Sequence, residues 1–237
     1  MWGSSGSTYS YTPYSPMYRV VPQPSRRFSR TEIRDLVIAS LVLTLDLWLI
    51  LTGQGLLYGG YGRQLLLSGS YLLILGDLAI AGLTAVLGFA AHEMAHKFAA
   101  QARGLWAEFR MSIQGLVFSV IFAFIGFLFA APGATYIGGT GTREEAGVTS
   151  LAGPVVNLAM AAIFLVVYWP FRASIYSFIP ATVAIFNIYL AGFNLLPFWV
   201  LDGAKVWRWN KGIWTASFGI TVLFFLFVYF GLGIPFA

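Results

Sequence analysis

Long apolar runs separated by short polar or glycine-rich joints dominate the chain. Leu36 to Leu57 is the first, and at about 1.5 Å per residue a helix over it crosses roughly 30 Å of hydrocarbon. After the joint Gly59-Gly60-Tyr61-Gly62-Arg63, a second helix is predicted from Tyr71 through to Arg103-Gly104, where glycine supplies a C-terminal stop. Gly115 to Ala131 is strongly apolar yet short, with Arg110 and Gln114 before it and Pro132-Gly133 after it. Tyr136 to Gly147 is polar and glycine-rich and carries Arg143, Glu144 and Glu145, so it is expected in water or at an interface. Three further runs follow. One opens at Gly153-Pro154 and ends at Pro170. Another, Pro180 to Leu201, is interrupted by Asn187, Asn194 and Pro197. The last, Ile213 to Leu232, is free of charge. The pattern predicts an all-α polytopic membrane protein of about five transmembrane helices with one re-entrant or membrane-inserted hairpin over 115–131, six crossings being the alternative.

Residues 1–33 contrast with the rest. They are rich in Ser, Tyr, Pro and Gly, with Arg19, Arg26, Arg27 and Arg30 towards the end, and have too little apolar surface for a core. A disordered cytoplasmic tail is expected there, followed by a membrane-embedded domain over 34–237. Hydrophobic residues make up 58% of the chain and charged residues 10%, with a mean hydropathy of +0.76, outside the range of soluble domains. There is no cysteine, which removes disulfides, thiol nucleophiles and cysteine-based metal sites together. The net charge of +5 reads as a topology signal, and no basic patch with interleaved aromatics argues for nucleic acid.

Candidate chemistry concentrates in Ala91-His92-Glu93-Met94-Ala95-His96, which holds the chain's two histidines. This is an H-E-x-x-H pattern. On a helix His92 and His96 share a face, where two neutral imidazoles can hold one Zn²⁺ while Glu93 stands close enough to act as general base. Ionisable groups beside a membrane-length apolar run default to a functional reading. A catalytic zinc takes three protein ligands, so without cysteine the third must be a carboxylate. Asp46, Asp77 and Asp202 are the candidates at membrane depth or its edge. Asp77 precedes His92 by fifteen residues on the same predicted helix, about 22 Å away, and cannot reach. Asp46 lies mid-span. Asp202 ends its run just before the basic Lys205, Arg208 and Lys211, and so matches the depth of the histidines.

The positive-inside rule places the N-terminal tail in the cytoplasm, with Arg63 and Arg172 outside and the candidate site near the cytoplasmic face. Both ligand-bearing helices then run in the same direction, and Pro154 to Pro170 provides the single return between them. A second crossing at Gly115 to Ala131 would part Asp202 from the histidines, so that segment is expected to enter and leave on one side.

The H-E-x-x-H, the Asn194-Leu195-Leu196-Pro197 followed by Leu201-Asp202-Gly203, and the Gly153-Pro154-x-x-Asn157 between them resemble the site-2 protease family of intramembrane zinc metalloproteases, over roughly Leu72 to Trp207. The resemblance implies one zinc per chain on His92, His96 and Asp202, with Glu93 as general acid/base. It further implies that Asn194 orients substrate or stabilises the oxyanion, the alternative being a cap on backbone groups that Pro197 frees, and it makes Asn157 a candidate for the substrate cleft, although an Asn beside a Gly-Pro helix start is more often a backbone cap. The implied activity is hydrolysis of peptide bonds in or near transmembrane helices of membrane-anchored proteins, in a lipid bilayer. One departure is that Gly115 to Ala131 stands between the H-E-x-x-H and the glycine-rich Pro132-Gly133-Ala134. A membrane metal-ion transporter and a non-catalytic membrane scaffold are the rival classes. Transport usually needs ligands at several depths, which this chain's few carboxylates do not offer.

Overall fold

Helix α1 (Arg30–Tyr58) opens the computed structural model, which describes residues 28–58, 67–128, 132–139, 142–198 and 200–232. Helix α2 (Tyr71–Gln101) carries the H-E-x-x-H in its final turns and contains a widened π-type turn, Val86–Ala90, directly before it. Strand β1 (Trp106–Met111), helix α3 (Ile113–Phe124) and strand β2 (Gly133–Gly138) follow. The chain continues through α4 (Arg143–Phe171), α5 (Phe178–Asn194), the short α6 (Asp202–Trp209) and α7 (Lys211–Leu226), which a π-type turn extends to Gly231.

Five helical segments among the described residues are long and apolar enough to cross a membrane: Arg30–Thr52, Tyr71–Gln101, Arg143–Phe171, Ile175–Asn194 and Lys211–Gly231. Their outward faces stay apolar, with Leu72 86% and Val166 73% exposed, the pattern of helices solvated by lipid. Inside, Leu43 and Leu47 of α1, Phe89 of α2, Phe109 of β1 and Phe186 and Leu190 of α5 form one cluster.

The strands pair antiparallel with Met111 opposite Gly133 and Phe109 opposite Thr135. That pairing brings the two ends of the α3 excursion side by side, as an entry and exit on one side require. With its 12 residues, α3 is about 18 Å long, too short for the hydrocarbon core. Glu32 near the start of α1 fastens both α2 and this unit: Lys97 Nζ of α2 lies 2.5 Å from Glu32 Oε2 in a buried ion pair, and Phe109 N–H of β1 donates to Glu32 Oε1 at 3.1 Å. Both side chains are almost fully buried, so each charge depends on the other.

Several predicted boundaries move. Pro154 is inside α4 rather than at its start. The helix begins eleven residues earlier at Arg143, where Thr142 and Glu145 form a capping box, each side chain accepting the other's backbone N–H. The polar stretch expected as a connection therefore divides between β2 and α4. Helix α5 stops at Asn194, and Asp202 begins α6 instead of ending a span. Residues 1–27 of the predicted tail, and the joint Gly59 to Arg63, lie outside the described residues, while residues 30–33 are already helical. Asp46 is buried in α1 beside Ser119 of α3, and Asp77 borders a separate cavity with Thr52 and Phe178.

Candidate metal centre

The site forms where the last turns of α2 meet the first turns of α4. The widened turn of α2 turns the Gly88 carbonyl towards α4, where it accepts from Asn157 Nδ2 at 3.1 Å. Glycine is required at 88, since a Cβ there would stand 2.4 Å from the Phe186 ring. Asn157 Nδ2 also donates to Asn187 Oδ1 at 2.8 Å, and Asn187 Nδ2 in turn donates to the Val183 carbonyl at 2.9 Å. These bonds fix which way the Asn157 amide faces, and its Oδ1 meets His92 Nδ1 at 2.6 Å. His96 Nδ1 lies 2.8 Å from the Thr149 carbonyl oxygen, one residue before Ser150, whose carbonyl receives no helical N–H from Pro154.

Both Nδ1 partners can only accept, so each neutral ring keeps its proton on Nδ1 and presents a bare lone pair at Nε2. The two Nε2 atoms are 2.9 Å apart, and Asp202 Oδ2 stands 3.2 Å from that of His92 and 3.0 Å from that of His96. Three buried lone pairs converging with no proton among them repel one another, and a cation at their centre removes the conflict. Ligand atoms around a four-coordinate zinc stand about 3.3 Å apart, so the triangle fits after opening by a few tenths of an ångström.

Asp202 reaches this point because the chain reverses after α5. A Cβ at Gly203 would stand 2.1 Å from the Leu195 carbonyl oxygen, so only glycine permits the close return. Trp214 Nε1 of α7 donates to that same carbonyl at 2.7 Å and pins the corner. Gly153 of α4 packs directly against both imidazoles; a Cβ there would meet His96 Nε2 at 2.5 Å and His92 Nε2 at 2.6 Å.

A cavity of about 120 Å³ opens on the triangle, bordered by Glu93, Asn194 and the β2 residues Gly133, Thr135 and Ile137. Thr135 Oγ1 lies 2.8 Å from Glu93 Oε2 and 3.2 Å from the Glu93 carbonyl, so β2 holds the carboxylate in place. Asn194 donates one N–H of its amide to the Leu190 carbonyl at 3.1 Å. The strand geometry adds one more feature. Phe109 N–H bonds to Glu32, outside the sheet, so Phe109 and Thr135 are a non-hydrogen-bonded pair. Thr135 therefore directs its own backbone N–H and C=O to the edge of β2 that borders the cavity.

A protein of Methanocaldococcus jannaschii named "Putative zinc metalloprotease" is 41% identical to this chain over 130 residues, which cover 54% of this chain and 68% of that protein. The chain belongs to that protein's family. No protein-family model and no solved structure matches it.

In this member of the family, His92, His96 and Asp202 come together as the sequence predicts, with Glu93 and Asn194 on the adjoining cavity. Asn157 does not line the cleft. It is fully buried, and its amide is spent on His92, Gly88 and Asn187, so it orients the His92 ring instead. Asp46 and Asp77 stand apart from the triad. Sequence reasoning missed Thr135, Thr149 and Asn187, and gave Gly153 a place in a motif but no role at the metal centre. Asn187 carried a signal, being an amide inside an apolar run with no water to solvate it. Thr135 carried none, because its importance lies wholly in what it faces.

Proposed function

We propose that the protein is an intramembrane zinc metalloprotease of the site-2 protease type, cutting peptide bonds in or near transmembrane helices of membrane-anchored proteins. The observation that carries this reading is the meeting of three buried lone pairs with Glu93 in one cavity at the end of the apolar helices. The related zinc metalloprotease supports zinc as the ion. His92, His96 and Asp202 would hold the zinc, which when bound would supply a Lewis acid and lower the pKa of water towards neutrality.

The chain's own groups account for the remaining steps. The Glu93 carboxylate, aligned by Thr135, takes the proton of the attacking water and delivers it to the leaving amine as the C–N bond breaks. The second N–H of the Asn194 amide is available to the oxygen that becomes negative as the carbonyl is attacked. A peptide bond must leave the helical conformation to be cut, and the open edge of β2 offers Thr135 N–H and C=O to an extended segment. The basic residues beside Asp202 support a cytoplasmic position for this end of the bundle, together with the N-terminus. Among the described residues a single such ligand group is found, which favours catalysis over a transport path with ligands at successive depths.

The deciding experiment compares wild type with Glu93→Gln on a helical membrane substrate in proteoliposomes, alongside zinc analysis of both. The variant should keep stoichiometric zinc and lose cleavage. Cleavage retained by Glu93→Gln, or absent from zinc-loaded wild type across helical membrane substrates, rejects the proposal.

A further inference from the structure

A second, larger cavity of about 410 Å³ lies at the same end of the molecule, and nothing in the proteolytic reading uses it. Arg143 from the start of α4, Lys205 and Arg208 from α6, and Lys211 from the start of α7 border it, with Trp207 and Trp209 between them. No carboxylate among the described residues borders it. Among the described residues Arg143, Arg208 and Lys211 have no ion-pair partner, and Lys205 has a distant one, 3.9 Å from Asp202 Oδ1. Like charges from three elements are held close together, which is unfavourable unless an anion joins them.

The walls are fixed. Gly147 has no side chain, so the Trp209 ring rests directly on the second turn of α4; a Cβ at 147 would be 2.5 Å from that ring. Trp207 packs edge-on against Trp214 at 4.8 Å, and Lys211 Nζ stands 5.1 Å over the Trp207 ring. The location narrows the ligand. Arg143 and Lys211 are the first residues of two membrane-length helices, so the cavity lies at the level where polar surface gives way to apolar surface. Below it, α7 is largely uncovered, with Leu223 65% exposed, and can lie along acyl chains. A free anion accounts for the charge but not for this apolar continuation.

We infer that this cavity binds the phosphate headgroup of an anionic phospholipid, with the tryptophans at the glycerol level and the acyl chains along α7. Arg side chains grip a phosphate through paired N–H groups, and Trp is suited to the boundary between headgroups and chains. The site does not depend on the catalytic proposal, and it is tested by binding alone.

The test uses delipidated full-length protein in neutral detergent and measures binding of phosphatidylglycerol and of phosphatidylcholine with the same chains. Phosphatidylglycerol should bind, weakening as salt is raised, while phosphatidylcholine should bind far more weakly and without salt dependence. Each basic residue at a membrane surface contributes about fivefold, so Arg143→Gln/Arg208→Gln/Lys211→Gln should weaken phosphatidylglycerol about a hundredfold. Arg172→Gln, remote from the cavity, should leave it unchanged. Equal binding of the two lipids, or a folded triple variant that binds as wild type does, overturns the inference. Displacement of the lipid by millimolar inorganic phosphate at constant ionic strength overturns it in favour of a free-phosphate site. If the triple variant does not fold, the wild-type salt dependence and lipid preference decide alone.

Discussion

Gly153→Ala tests the metal centre through a residue that is not a ligand. The added methyl would stand 2.5 Å from His96 Nε2, 2.6 Å from His92 Cε1 and 2.6 Å from His92 Nε2. Ordinary contact begins near 3.4 Å, so the rings or α4 must move by about 0.8–0.9 Å. Metal–ligand distances tolerate about 0.2 Å, and the required shift is about four times that. Neither side yields easily. His92 Nδ1 is tied to Asn157 and His96 Nδ1 to Thr149, and Thr149 lies on the same helix that would have to withdraw. Overpacking of this kind costs about 1–3 kcal/mol, and each 1.4 kcal/mol is a factor of ten, so zinc affinity should fall by about fivefold to a hundredfold. Gly76→Ala is the matched control, a glycine-to-alanine change in a membrane helix whose added methyl meets nothing within 4 Å. The assay is zinc content of detergent-purified protein by elemental analysis, followed by competition with a chelator of known affinity. Gly153→Ala that keeps zinc as tightly as Gly76→Ala would refute the placement of α4 against the imidazoles.

Three other outcomes follow from the same contacts. Asn157→Leu leaves His92 Nδ1–H without its acceptor, and zinc affinity in chelator competition should drop about 10–100-fold; an unchanged affinity would deny Asn157 its orienting role. Thr135→Val removes a hydroxyl donor from a carboxylate, a bond worth about 1.5–3 kcal/mol, so turnover should fall about tenfold or more with zinc content intact, and Thr135→Ser should restore it. Lys97→Met strands the Glu32 charge and should destabilise the protein by about 3 kcal/mol in denaturant titration, whereas Glu32→Gln/Lys97→Met should recover most of this; equal stability of the two variants would count against a buried ion pair.

The sequence alone determined the number and approximate positions of the membrane-length helices, because the thickness of hydrocarbon and the rise of a helix convert directly into run length. It also determined the pairing of His92 with His96, since four residues make nearly one helical turn, and it singled out Asp202 by depth and charge flank. Helix ends were less legible. Pro154 suggested a start, yet a proline is tolerated inside a membrane helix when neighbouring groups satisfy the carbonyl it frees, and α4 runs through it. The strands were missed although Ala107 and Phe109 point inward with the alternation a strand requires, because six residues without their partner do not declare a sheet. Only the tertiary structure joined His92 to Asn157 across 65 positions, His96 to Thr149 across 53 and Thr135 to Glu93 across 42. Helical periodicity is set by neighbours a few residues apart, whereas the orientation of a ligand ring depends on which distant carbonyl or amide the packing of α2 against α4 and β2 brings within reach.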